Sequence, residues 1–144
     1  MSFAYTPAKY KFARGEIAWH TSDIRVLLVM SNTTADTEQD AATISAFTTL
    51  DEYDGANIVR KALAGEVVNE DDPNNRAELT ADAVTWTALG AGTRQGVGMV
   101  VYKFGTDDTD SVPILYIDTG GFPFTGNGGN VVFTPNAEGI AQFT

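Results

Sequence analysis

A two-residue alternation of apolar and polar side chains, entered through a dense turn signal, is the feature that most limits what this chain can fold into. Ala77, Leu79 and Ala81 alternate with Arg76, Glu78 and Thr80; Val84, Trp86 and Ala88 alternate with Thr85 and Thr87. Residues two apart share one face of a β-strand, so each run reads as a half-buried strand. Upstream, residues 66–69 are short and β-prone, and Asp71-Asp72-Pro73-Asn74-Asn75 gathers turn-forming residue types. Proline presets φ there, while Asp and Asn side chains bond their own backbone. The stretch reads as a hairpin feeding a third strand through a bend near Asp82, with Trp86 as the largest buried anchor.

The remaining chain repeats this punctuation. Residues 23–30 are apolar on both faces beyond Arg25, which predicts a central strand covered from both sides. Residues 99–104 and 112–117 read as a strand pair joined by the loop 106–111, and residues 131–133 and 140–143 as closing strands around the turn 135–139. Residues 17–20 read as a short strand after a turn at Gly15-Glu16. Ile58, Val59 and Leu63 read as part of a strand entering the hairpin. Residues 31–40 are a polar loop. Within 39–50 the three-residue spacing of Ile44, Phe47 and Leu50 predicts a short helix, against the β-branched Thr43, Thr48 and Thr49. Residues 90–98 form a glycine-rich connection, and the Gly and Pro density of 120–129 forbids a regular element. Strands with turn signals at roughly ten-residue spacing predict an all-β fold, a single-domain β-sandwich or jelly-roll-like barrel with at most one short helix.

At 144 residues the chain is long enough to bury one sizeable core. Its formal net charge of −10 argues against a nucleic-acid surface, which needs clustered Lys and Arg, and against anionic membranes. Cysteine is absent, which excludes disulfides, thiolate catalysis and cysteine metal sites. No long apolar run follows a basic start, so a secretory signal is not expected, and the run 24–30 is far too short to span a bilayer.

Four places carry candidate function. The first is residues 1–14, the one basic stretch: Lys9, Lys11 and Arg14 precede the first acid, Glu16, and interleave with Tyr5, Tyr10 and Phe12. This stretch either packs on its own domain, as a short helix after Pro7 or an edge strand, or is an arm that docks on an acidic partner through aromatic and arginine anchors. It divides the chain into an arm, 1–14, and a β-sandwich domain, 15–144. The second is the loop 120–129, where Phe122, Phe124 and Asn127 either make contacts or tuck back onto the sandwich. The third is the acidic loops Glu70-Asp71-Asp72 and Asp107-Asp108 with Asp110, read as solvated turns because neither has the glycine and distal glutamate of a calcium-binding loop. The fourth, His20, is the single histidine; alone it builds neither the usual zinc site nor a recognisable triad. A glycosidase would need two carboxyls facing across a cleft, and no other catalytic cue accompanies the acids. No enzyme activity, cofactor or metal is expected.

Several segments together resemble a known group. They are Gly15-Glu16-Ile17-Ala18-Trp19 with Asp23-Ile24-Arg25-Val26-Leu27-Leu28-Val29; Lys61-Ala62-Leu63-Ala64-Gly65; Glu70-Asp71-Asp72 through Trp86; Val100-Val101-Tyr102-Lys103 with Leu115-Tyr116-Ile117-Asp118; and Asn136-Ala137-Glu138-Gly139-Ile140. In this order the chain resembles small virion proteins of tailed bacteriophages encoded near the major capsid protein. The resemblance does not extend over residues 31–53. It implies a structural protein without catalysis, most like a head decoration (cement) protein. Such a protein sits on the outer surface of the phage head, binds the major capsid protein and often works as a homotrimer. On that reading Tyr5, Lys9, Tyr10, Lys11, Phe12 and Arg14 are the capsid-interface candidates, and deleting 1–14 leaves a folded domain that no longer binds. The alternative is a tail or fibre-associated, adhesin-like protein that binds its host through Phe122, Phe124 and Asn127.

Overall fold

A computed structural model describes all 144 residues. In chain order the elements are β1 (Phe3–Ala4), α1 (Thr6–Ala13), β2 (Ile24–Met30), β3 (Lys61–Ala62), β4 (Val67–Asp71), β5 (Arg76–Thr80), β6 (Val84–Trp86), β7 (Gly96–Lys103), β8 (Val112–Ile117), β9 (Val131–Phe133) and β10 (Ala141–Phe143), with short 3-10 turns at Ile44–Ala46 and Asp72–Asn74. The fold is all-β and antiparallel, with one short α-helix. Three sheets run β1-β8-β7-β2-β3, β10-β5-β4 and β6-β9.

The five-stranded sheet is the centre because its strands are apolar on both faces. Residues directly opposite one another share a face. The row Phe3, Tyr116, Val100, Leu27 therefore lies on one side, and the row Ala4, Leu115, Val101, Val26 on the other. The first face is covered by irregular chain from residues 31–60: Tyr5 meets Phe47 edge-on at 5.6 Å, and its hydroxyl donates to the Ala35 carbonyl at 2.6 Å. The second face is covered by the two smaller sheets, with Trp86 of β6 lying beside Leu28 and Leu79 of β5 beside Leu115. The result is sandwich-like. Each large apolar side chain buried this way stabilises by about 1.5–3 kcal/mol, so β2, β7 and β8 supply most of the hydrophobic stability.

The hairpin β4–β5 forms as the turn residues dictate, with Pro73 in the 3-10 turn and Asn75 left-handed at φ 53. It does not feed β6 as a neighbouring strand. β6 pairs with β9 instead, and Trp86 is anchored by donating its Nε1–H to the Val59 carbonyl at 2.9 Å. Ala88 does not continue the buried face of Val84 and Trp86: it is exposed with φ 51, and Leu89 takes the buried place.

Other expectations also change. Residues 17–20 form a turn rather than a strand, although Ile17 and Trp19 are both buried as alternation required. The helix expected in 39–50 shrinks to the turn Ile44–Ala46, as its β-branched neighbours favour, while Ile44 and Phe47 still face inward. In 58–63 the strand is confined to β3, and Val59 is exposed. β7 begins three residues earlier than the run 99–104 indicated, because Gly96 and Gly98 pair with Met30 and Val29.

Candidate interaction surface

Residues 1–14 are not a separate arm in this fold. β1 completes the edge of the central sheet, pairing Phe3 with Tyr116 and Ala4 with Leu115, and α1 lies against β8. Tyr5 is completely buried, its ring between Phe3 and Phe47. Burial, more than the nearby Asp36 and Glu38, pushes its phenol well above the ordinary range. It therefore offers no surface to a partner. A deletion of 1–14 would remove a strand and a buried aromatic, so the shortened chain is expected to be destabilised rather than to stay folded.

What α1 does expose is a narrow basic and aromatic strip. Lys9, Tyr10 and Arg14 face solvent, and Lys11 and Phe12 are half-buried. Arg14 is folded back, its Nη1 donating to the Tyr10 hydroxyl at 2.9 Å while its Nε pairs with Glu16. Lys11 pairs with the same Glu16 at 3.0 Å, and those hydrogen bonds, Lys11 first, hold the Glu16 carboxyl below its usual range. Every arginine in the chain is ion-paired, and Lys103 donates to the Glu16 carbonyl. Lys9 and Lys61 alone among the cationic side chains have no such partner. Phe12 turns inward to meet Phe143 of β10 edge-on at 5.5 Å.

A continuous groove runs from α1 along the seam between β1–β8 and β10. At the helix end lies a small apolar pocket lined by Ala8, Lys9, Phe12, Leu79, Leu115 and Phe143. The middle is lined by Phe3, Ala4, Tyr116, Ile140, Ala141 and Gln142. The far end widens to about 340 Å³ between Ser2, Ile117, Thr119, Phe133, Asn136 and Ile140. Lys9 is the single charged residue along its whole length, in a chain carrying 19 acids.

The loop 120–129 is tied down rather than presented. Phe124 pairs its backbone with Gly96 in both directions and sets its ring 5.2 Å from Tyr53; Phe122 packs on Phe124. The Tyr53 hydroxyl donates to the Gly90 carbonyl at 3.0 Å and accepts from the amides of Gly92 and Gly126 at 2.9 and 3.1 Å. Chains this close leave no room for side chains: a Cβ at Gly55 or Gly126 would overlap the Gly90 carbonyl. Asn127 is exposed, and its Oδ1 is engaged locally by the Gly129 amide at 2.9 Å.

The acidic loops serve the fold as well. Asp110 accepts from the amides of Thr106 and Asp107, and Asp107 from that of Thr109. Asp108 points elsewhere, to Arg60, which also grips Glu52 with Nε and Nη2 at 2.8 and 2.7 Å and fastens residues 52–60 to the β7–β8 loop. Asp71 bonds Asn74 and Arg76 across the hairpin turn. His20 is exposed on the turn around residues 19–21.

One surface escaped sequence reasoning. In β4, Val67, Val68, Asn69 and Glu70 are all exposed, so both faces of this strand meet solvent; Val67 and Val68 remain 48% and 45% accessible. The strand is bonded to β5 alone, and no backbone bond reaches its outer edge or the outer edge of β10. The adjacent valines of Val67-Val68-Asn69-Glu70 were the available signal, since they place an apolar group on each face. Comparison with family models, curated proteins and solved structures yields no match to this chain.

Proposed function

We propose that this chain is a tailed-phage virion protein that decorates the outer surface of the head and reinforces the capsid lattice. The observation that carries the reading is the solvent-facing strip of α1, where Tyr10 and Arg14 stand exposed on an otherwise acidic body. The sequence resemblance supports the same role. The partner is the major capsid protein, the working unit a homotrimer, and the location the outer face of the head. Of the capsid-interface candidates, Tyr10 and Arg14 make the contact, with Lys11 and Phe12 shaping its base; Lys9 lines the neighbouring groove and Tyr5 holds the helix in place. Many copies acting together stabilise the assembled shell they prefer to bind, so each contact need only be weak. The protein works by binding, without catalysis.

Immunogold labelling of intact particles tests the location. Label spread over heads supports the proposal. Label confined to the tail tip moves the role to host binding by a tail or fibre-associated protein, with Phe122, Phe124 and Asn127 the first residues to substitute. In reconstitution with capsids lacking this protein, Y10A together with R14E is expected to lower occupancy at least tenfold while the circular-dichroism spectrum stays unchanged. Full occupancy by that variant would discard α1 as the contact.

A further inference from the structure

The three-stranded sheet has two open edges, one at β4 and one at β10. We propose that they are complementary: β4 of one copy adds to the free edge of β10 of the next, extending the sheet from copy to copy. The proposal rests on the self-association in the functional reading above, and not on where in a particle the protein sits.

The argument begins with the register. Val68 lies opposite Leu79, which lies opposite Ala141; Glu70 lies opposite Ala77, which lies opposite Phe143. Val68 and Glu70 therefore project from the same face as Leu79, the face turned toward the core. Within one copy Val68 stays 45% accessible, outside the core cluster, and Glu70 is exposed with no ion pair. Beside β10, on the same side of the sheet, lies the apolar pocket of Ala8, Phe12, Leu79, Leu115 and Phe143, whose single charged lining residue is the unpaired Lys9.

A strand laid along β10 would turn alternate side chains into this pocket and toward its rim. β4 presents an apolar residue and an acid two positions apart on the required face: Val68 for the pocket, Glu70 for Lys9. An exposed apolar edge is an aggregation hazard unless something covers it, and neither β4 nor β10 is covered within one copy. The two surfaces are different patches, so the contact is head-to-tail. Contacts of that type close into rings when the rotation permits. Charge does the selecting, because the groove offers Glu70 a lysine and no acid, whereas β4 against β4 offers it no cation.

The test uses the full-length protein in solution, without capsids. Light scattering after size exclusion is expected to give a discrete oligomer for the wild type. V68K, at a site that carries no core packing, is expected to give monomer with an unchanged circular-dichroism spectrum. K9E should weaken association about tenfold, the scale of one interfacial charge pair, and K9E combined with E70K should restore it. A wild-type monomer at every concentration overturns the proposal and leaves Glu70 and Asp71 as guards of an unused edge. An oligomer that V68K leaves intact overturns this surface while leaving self-association standing. Failure of the charge exchange to rescue K9E removes the Lys9–Glu70 contact. Absence of label on heads would bear on the functional reading alone.

Discussion

β2 with β7 and β4 with β5 are both antiparallel strand pairs, yet one is a core and the other a projection. In β2–β7 nearly every side chain on both faces is buried, and the outer edge of β2 is closed by β3 and by the bridge from Glu52 to Val29. In β4–β5 Leu79 alone is buried, and the pair is held by its turn and by Arg76, which contacts Asp71, Glu78 and Glu138. Backbone pairing is alike in the two. What differs is the apolar area withdrawn from water, which is the dominant stabilising term. Strand pairing therefore specifies shape here, and burial decides which strands the fold depends on.

The largest test of that contrast is L27A in β2, which should lower unfolding free energy by about 2–5 kcal/mol through lost burial and a residual cavity. V67A in β4 should change it by less than about 0.5 kcal/mol. Urea titration measures both, and equal losses would erase the distinction. Next comes G126A, which places a methyl group against the Gly90 carbonyl and should cost about 1–3 kcal/mol. A smaller value would mean that the 90–92 and 124–126 chains separate easily.

R60M leaves Glu52 and Asp108 side by side without their shared cation, a loss of about 1–2 kcal/mol for this half-exposed cluster. It should act on the β2–β7 body and leave the hairpin unaffected, visible as faster amide exchange in residues 52–60 and in the 106–111 loop, with no change in β4–β5.

A pH measurement probes the Asp51 contact beside the central sheet. Asp51 is bonded by Arg94 and by the Asn32 amide, which hold its carboxyl below the ordinary value. A carboxylate with a lowered folded-state pKa contributes stability that is present above the unfolded value, near 3.9, and is lost as pH falls toward its folded one. Wild type should therefore lose more stability than D51N between about pH 5 and pH 3. A parallel decline in both proteins would remove Asp51 from the acid sensitivity. Smallest of all is native-state hydrogen exchange under unperturbed conditions: amides of β2, β7 and β8 should exchange through global opening, those of β4 far sooner.

How much of this was visible in the sequence depended on what each pattern reports. The doubly apolar run from Ile24 to Met30 predicts two-sided burial because no surface strand tolerates it, and the structure agrees. The Asp-Pro-Asn-Asn turn carries its own φ preferences and needs no tertiary partner. Alternation in 17–20 reports only that Ile17 and Trp19 are buried; with no strand beside it, the segment stays a turn. The basic composition of 1–14 indicates an exposed helix face, but Tyr5 looks the same in sequence whether it meets solvent or the Ala35 carbonyl. Phe122 and Phe124 are likewise aromatic in either setting; the hydroxyl of Tyr53, some seventy residues away, is what binds the chain beyond them through Gly126.

By itself the sequence determined most of the strands and turns, that they make an all-β fold with at most one short helix, and that the protein is strongly acidic. These depend on local dihedral preference and on side-chain polarity, which each short segment carries within it. Tertiary structure alone decided that β6 pairs with β9, that Tyr5 belongs to the core, that a glycine cluster closes around Tyr53, and that β4 and β10 keep open edges, that of β10 beside a groove with one lysine. Those are contacts between residues far apart in the chain, and their energy exists only once the whole core has brought them together.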